Sequence, residues 1–237
     1  MLQNDYLSVL EAKNSDELRD RIVAFGGDLG FERVGALAVV EWPGNAPLFM
    51  PLNNMPPDYL TLADDDARSA RDPVVQHCKH SSVPIIWSQD TYTQCGLGPQ
   101  WEDQHPFGYG NGIAVGLHMP FGRHFVFGVN RRDALPDSSE QLTRMVADVQ
   151  LFAVHAQEAA SRLLPPAAGW VDAQPLTPRE IECLRWTMEG KTAWEVGSIL
   201  GITERTAVLH VNNAAHKLQC VSKHQAVIKA MRMGLIQ

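Results

Sequence analysis

Apolar positions along this chain follow two periods, one of strands and one of helices, and their order divides the molecule. Over 4–13 and 15–28 the spacing predicts two helices. The second is capped by Ser15, carries Leu18, Ile22, Val23 and Phe25 on one side, and is weakened at its end by Gly26 and Gly27 before a turn at Gly30. Residues 33–42 are a near-continuous apolar run, read as a buried strand closed by Pro43, Gly44 and Asn45. A returning strand is expected over 47–52 and a short helix over 56–63. Pro73 opens another helix with Val74, Val75 and Cys78 on its apolar side. Ile85, Ile86 and Trp87 form a brief strand, and 101–107 a short segment ended by the glycine-rich stretch 108–112. Residues 113–119 and 124–130, joined at 120–122, predict an antiparallel hairpin. From Ser138 the period changes. Leu142, Met145, Val146, Val149, Phe152, Ala153, Ala156, Ala159 and Leu163 make one helical stripe, broken by Leu164, Pro165 and Pro166.

The C-terminal part is helical throughout. Thr177, Pro178 and Glu180 form a capping box with proline at the first helical position, and Ile181, Leu184 and Met188 follow at helical spacing up to a stop at Gly190. Thr192 starts a second helix with Val196, Ile199 and Leu200 inward; Gly201 and Ile202 turn the chain. Thr203 caps a third helix with Val208, Leu209, Val211 and Leu218 on it, and a last helix spans 222–233. Two helices joined by a short glycine-containing turn, the second with polar residues at its exposed start, are a helix-turn-helix. The expected fold class is therefore α+β. Residues 1–165 form an α-β-α sandwich around an antiparallel sheet of about five strands. A linker at 166–175 leads to an all-α helix-turn-helix domain at 176–237.

Charge reinforces this division. From residue 176 onward there are 8 Lys/Arg against 5 Asp/Glu, a net of +3; the remaining 12 basic and 22 acidic residues leave 1–175 at −10. A basic module on an acidic body suits a domain that faces phosphate. The chain of 237 residues is long enough for one medium and one small domain, and 45% hydrophobic with 20% charged residues is ordinary for a globular protein. No apolar run reaches the ~18 residues of a membrane span, and the first residues lack the basic start and apolar core of a secretory signal. Cys78, Cys95, Cys183 and Cys220 include no Cys-x-x-Cys pair, which favours reduced thiols and a cytoplasmic protein.

Leu176 to Glu180, Leu184, Glu189 to Thr192, Leu200 to Ile202, Thr206, His210, Asn213, Lys217, Leu218 and Gly234 to Ile236 resemble the LuxR-type DNA-binding domain at gap-free spacing. The resemblance implies that the helix from Thr203 reads the major groove of promoter DNA. Its exposed or groove-facing candidates are Thr203, Glu204, Arg205, Thr206, Leu209, Asn212 and Asn213, with Lys191, Lys217 and Lys223 as phosphate contacts and Thr192 and Val208 also among the expected DNA-binding residues. Arg205 suits guanine and Asn212 adenine, while the lysines position without specifying. Val208 and His216 stand where that family commonly has cations, which implies moderate affinity.

Arg71 to Val75, Trp87, Trp101, Gly108 and Gly112, followed by the hairpin, resemble the acyl-homoserine-lactone-binding domain of LuxR-type quorum-sensing receptors. The resemblance implies that Asp72 accepts the ligand's amide N–H and that Trp87 packs on the lactone ring. On its own, Asp72 before Pro73 equally reads as a helix N-cap, and the two roles are compatible. The expected ligand-binding residues are Tyr59, Ala63, Asp72, Trp87, Trp101, Gly112, Ala114 and Gly128. Several depart from the family's pattern. Tyr59 replaces a Trp, Ala63 a Tyr, Ala114 and Gly128 hydroxyl residues, and Gly116 a proline. Each missing polar partner weakens the lactone fit by about 1–3 kcal/mol. A changed or bulkier ligand, or lost ligand dependence, is therefore expected.

No cofactor is expected beyond this small signal, and no nucleophile–base set supports an enzyme. His77 and His80 share a helix face, but no acidic or Cys partner has metal-ligand spacing, so half-buried surface histidines are the reading; Asp64 to Asp66 read as a solvated acidic loop. The expected partners are double-stranded promoter DNA, the small ligand and a second copy of the chain on a palindromic site, with the long helix and the last helix as dimer contacts. The alternative is a ligand-independent regulator, or an inhibitor of a related regulator through mixed dimers.

Overall fold

The computed structural model describes residues 6–41, 46–63, 66–120, 122–163 and 175–236. It divides into two compact units, the first carrying a β-sheet and the second helical. The expected turn at 43–45, the acidic pair Asp64 and Asp65, and the linker up to residue 174 lie outside the described residues.

Of the helix expected over 4–13, Tyr6 and Leu7 are α-helical and Ser8–Glu11 continue as a 3-10 turn, while residues 4 and 5 lie outside the described residues. Helix α1 (Ser15–Asp28) is capped by Asn14 and not by Ser15: the Asn14 carboxamide oxygen accepts from the Glu17 amide at 2.9 Å, and Ser15 is the first helical residue. The helix ends at Asp28, one residue after its two glycines, and Gly26 has a packing role besides. Gly26 is buried where a Cβ would lie 2.2 Å from Val34 Cγ2, so glycine lets the helix sit directly on the sheet.

Five antiparallel strands make that sheet in the order β2-β1-β5-β4-β3. They are β1 (Arg33–Val40), β2 (Leu48–Asn53), β3 (Ile85–Trp87), β4 (Asn111–Met119) and β5 (Arg123–Arg131). Pro51 is tolerated because β2 is an edge strand. Strand alternation sends Val34, Ala36, Ala38, Ile113, Val115, Phe125, Phe127 and Val129 to one face. There they bury Leu18, Ile22 and Phe25 of α1 and the stripe Val149, Phe152, Ala153 and Ala156 of helix α6 (Ser139–Leu163). Phe25 stacks on Phe152 with ring centroids 3.7 Å apart.

The opposite face carries helix α2 (Pro57–Ala63), α3 (Pro73–His80), α4 (Gln89–Thr93) and α5 (Gly98–Gln104). Here the sheet presents its smallest residues side by side: Gly35 pairs with Gly128, and Gly128 with Ala114. Beside them Gly116 takes α3 at close range, since a Cβ there would lie 2.1 Å from the Cys78 carbonyl oxygen. Position 116 is thus a packing position.

The second unit stacks helices α7 (Pro178–Met188), α8 (Ala193–Leu200), α9 (Glu204–Lys217) and α10 (Lys223–Arg232) around Cys183, Leu184, Val196, Ala207, Val211, Ala214 and Leu218. Thr177 and Glu180 form the expected capping box, and so do Thr192 and Glu195. Gly201 turns the chain with φ +66°, and Gly197 lets that turn approach, since a Cβ would lie 2.8 Å from the Ile202 carbonyl. Ile199, expected inward, is 46% exposed; Val196 and Leu200 alone of that trio pack inward because α8 is only two turns long.

Two glycine substitutions on the same sheet face separate these roles. Gly116→Ala is expected to cost about 1–3 kcal/mol in urea unfolding, by forcing α3 off the sheet. Gly128→Ala, whose new Cβ would meet nothing closer than 3.6 Å, is expected to change stability by less than about 1 kcal/mol.

Candidate functional site

The row of small residues leaves a cavity of about 320 Å³ between the sheet and helices α2 to α5. Its floor is Gly35, Gly128 and Ala114 with Leu37 and Val126, and its walls include Met55, Tyr59, Asp72, Val75, Trp87, Tyr92, Gln104 and Tyr109. Of the expected ligand residues, Tyr59, Asp72, Trp87, Ala114 and Gly128 meet here.

Two others stand behind the wall. The Trp101 indole donates to the Gly110 carbonyl at 2.8 Å, which locks the ring into the packing under the cavity. Gly112 pairs with Trp87 in the sheet, and a Cβ there would lie 2.7 Å from the Trp87 indole nitrogen, so its smallness seats Trp87. Both are corrections: they shape the wall without forming it. Ala63 is the last residue of α2, and its side chain lies outside the described residues.

Asp72 organises the polar end. It is the N-cap of α3, one carboxylate oxygen accepting from the amides of Val74 at 2.9 Å and Val75 at 3.0 Å. The other accepts from the Tyr92 hydroxyl and the Gln100 carboxamide, each at 2.9 Å. Both of those side chains are buried, at 2% and 8% exposure. Asp72 therefore bridges α3, α4 and α5. Burial first, and then the Asp72 carboxylate, pushes the Tyr59 hydroxyl up to about 12 and the Tyr92 hydroxyl further. Tyr109 is also raised, by burial and by Tyr59, on which it stacks at 4.0 Å. These phenols remain protonated donors at neutral pH.

Among the described residues, two buried wall groups, Trp87 Nε1 and the Tyr109 hydroxyl, have no hydrogen-bond partner, while the Gln104 carboxamide lies against the Tyr92 hydroxyl. Both can donate. A buried donor left unpaired costs about 1–3 kcal/mol, which is the signature of a site completed by a ligand. Sequence reading missed Tyr92, Gln100, Gln104 and Tyr109. They lie in short helices or next to glycines, where no period marks them, and only the fold brings Tyr92 and Gln100 to Asp72 and Gln104 and Tyr109 to the cavity wall.

Outside this cavity, His77 Nε2 lies 2.7 Å from the Val83 carbonyl and His80 Nδ1 3.0 Å from that of Gln76. Among the described residues no group of three or more His, Cys, Asp or Glu is placed to hold a metal ion.

In the second unit, Thr203 caps α9, and Glu204, Arg205, Val208, Leu209, Asn212 and Asn213 are exposed along it, as are Lys191 and Thr192 at the start of α8. Thr206 is half-buried, its hydroxyl 2.8 Å from that of Thr203. Lys217 is placed differently from expectation. Its ammonium lies 2.9 Å from the buried Glu180 carboxylate and also donates to the Pro175 carbonyl. It is an internal counter-charge fixing α9 to α7, because Glu180 is 3% exposed and needs a cation.

Residues 14–160 match the family model of the autoinducer binding domain, and residues 174–230 that of the bacterial regulatory proteins of the luxR family. The chain belongs to the LuxR family. It is 32% identical over 234 residues to the transcriptional activator protein SolR of Ralstonia nicotianae, covering 99% of this chain and 98% of that one. With the quorum sensing-dependent regulator RpaR of Rhodopseudomonas palustris it shares 33% over 196 residues, 78% of this chain and 74% of the relative. The fold matches that of Escherichia coli SdiA with a TM-score of 0.75 at 24% identity, covering 98% and 95% of the two chains. A second SdiA structure, in complex with octanoyl-rac-glycerol, matches with a TM-score of 0.75 at 22% identity over 98% and 94%. The LuxR family consists of transcriptional regulators, not enzymes. Its autoinducer-binding domain takes a small molecule and its helix-turn-helix binds DNA. Among the described residues no helix is long and apolar enough to cross a membrane.

The Glu180–Lys217 pair has a pH signature. Burial alone would raise the Glu180 carboxyl, but the Lys217 ammonium and the Thr177 amide hold it below its ordinary 4.5. A depressed carboxyl contributes stability above its unfolded pKa and loses it as pH falls through the folded value. Glu180→Gln is expected to lower the melting temperature at pH 7. That difference from the wild type should shrink in melts as the pH drops below the carboxylate range.

Proposed function

We propose that the first unit binds a neutral signal with an acyl chain and an oxygen-bearing head, of the acyl-homoserine-lactone type or divergent from it. The bound protein then acts in the cytoplasm as a homodimer on a two-fold symmetric promoter site. The carrying observation is the cavity: about 320 Å³, a small-residue apolar floor, and the unpaired donors of Trp87 and Tyr109 in its wall. Binding pockets are mostly apolar with a few converging polar groups, and this one has that makeup. Carbonyl oxygens would satisfy the orphaned donors while the chain lies along Leu37, Val75 and Val126. Neutrality is supported by the lining: among its described residues Asp72 is the one carboxylate and none is Lys, Arg or His. A carboxylate or phosphate there would find repulsion and no partner.

Dimerisation rests on helix α6, where Leu151 and Val154 are 46% and 47% exposed opposite the buried stripe. On DNA, the start of α9 enters the major groove. Arg205 and Asn212 face base edges, Val208 and Leu209 suit thymine methyls, and Lys191 meets phosphate.

Thermal melts against acyl lactones and related neutral acyl compounds test the signal. A ligand at one hundred times its Kd stabilises by about 2.7 kcal/mol, a rise of about 5–10 °C for a chain of this size. No shift with any compound, together with promoter binding by the ligand-free protein in mobility shifts, would make it a ligand-independent regulator. Failure of the pure homodimer to form any specific complex would favour the mixed-dimer inhibitor instead.

Arg205→Ala is expected to reduce affinity for the promoter by about 1–3 kcal/mol without moving the melting temperature, read by titration against specific and scrambled duplexes.

A further inference from the structure

We infer that His118 and His124 form a surface chelate for one divalent transition-metal ion of the Zn²⁺ kind, at the closed end of the β4–β5 hairpin. Neither residue lines the cavity, and the inference does not depend on which signal the cavity takes.

Strand register brings the two rings together. β4 and β5 pair from Asn111 opposite Arg131 to Met119 opposite Arg123, and His118 stands directly opposite His124 one pair before the turn. Side chains of directly opposite residues share a face of the sheet. The imidazoles meet there, Nδ1 lying 3.2 Å from Nδ1 with ring centroids 5.4 Å apart and planes at 76°. Alternation sends Met119 and Arg123 to the other face. On the histidine face His124 is flanked by Val39 of β1, with Phe49 of β2 beyond it, so the row offers two nitrogens among apolar neighbours. On the far side of His118 the space is open, because β3 pairs with β4 only as far as Ala114. His118 is exposed and His124 half-buried, and an ion can reach both from solvent.

The spacing of the nitrogens is that of a metal's neighbouring ligands. Without metal, one Nδ1–H donates and the other Nδ1 accepts, so a single proton holds the pair. Two Zn–N bonds of about 2.0–2.1 Å at the tetrahedral angle set their nitrogens about 3.3–3.4 Å apart, close to the 3.2 Å that the hairpin already imposes. On binding, the shared proton moves through solvent to Nε2 of its own ring, and both neutral imidazoles turn a lone pair to the ion. Charge and atoms balance, since the two rings stay neutral. With two protein ligands and no third among the described residues, the remaining coordination positions fall to water. Imidazole nitrogen suits Zn²⁺, Ni²⁺ and Cu²⁺, whereas Mg²⁺ and Ca²⁺ take oxygen. Because the paired strands hold both rings in place, the second nitrogen binds in an intramolecular step. The ion then ties together the ends of the two strands whose middle residues, Ala114 and Gly128, floor the cavity.

Calorimetric titration of the full-length, tag-free, reduced protein with Zn²⁺ tests the site, with Mg²⁺ as control, on the wild type, His118→Gln and the double variant His118→Gln/His124→Gln. The wild type is expected to take up one Zn²⁺ at this site and to gain about 3–6 °C in melting temperature at ten times the Kd. His118→Gln should weaken that step by about tenfold or more, the double variant should lack it, and Mg²⁺ should give neither heat nor shift. No heat and no shift with millimolar Zn²⁺ on the wild type overturns the inference. So does Zn²⁺ binding undiminished in His118→Gln, because thiols or other histidines then hold the ion. A second measurement needs no variant: the paramagnetic resonance spectrum of the wild type with one equivalent of Cu²⁺. Splitting by two imidazole nitrogens is expected, and a spectrum with one nitrogen or none overturns the inference.

Discussion

The carboxylate of Asp72 is the interaction on which the sensing unit depends. Helices α3, α4 and α5 are short, at eight, five and seven residues, and helices of that length are unstable alone. They are held over the sheet by one buried acid that caps the first, bonds Tyr92 of the second and bonds Gln100 of the third. Asp72 thereby accepts four hydrogen bonds. That is how a charge is kept at 9% exposure without a cation in the wall.

The same arrangement creates the recognition problem. Tyr92 and Gln100 are taken up by that carboxylate, while elsewhere in the wall Trp87 and Tyr109 keep donors with no partner among the described residues. Below them, Gly35, Gly128 and Ala114 withhold the side chains that would otherwise fill the space. A wall with unpaired donors and a floor with missing volume together bound the cavity proposed as the signal site. The rigid face behind, with α1 and α6 packed on the aromatic stripe, keeps the floor flat enough to serve.

The DNA-binding unit repeats the device with a different partner. Glu180 caps its own helix together with Thr177 and is also paired with Lys217. One buried carboxylate therefore sets the start of α7 and ties it to the end of α9. The exposed start of α9 is fixed by its other end, which is why a cation that looks like a phosphate contact in a linear reading belongs to the interior.

Much of this was legible in the residues alone. Periodicity placed the strands, the long helix and the four C-terminal helices; the Thr177 and Glu180 box and Gly190 marked α7; and Pro73 after Asp72 announced the cap. These are local effects, written in spacings of a few residues, and so the sequence by itself determined the α+β class and the helix-turn-helix, while the resemblance to LuxR-type receptors pointed to five of the cavity's residues. Tertiary structure alone decided the rest. Gly26, Gly112 and Gly116 look like helix or strand breakers until the backbone or side chain that crowds each is in place. Asp72 looks like an open acceptor until Tyr92 and Gln100, some twenty and thirty residues on, fold back to it. Lys217 looks solvent-facing until Glu180 reaches it. Hydrogen-bond saturation and steric room depend on groups distant in the chain, and no spacing rule along one strand or helix can carry them.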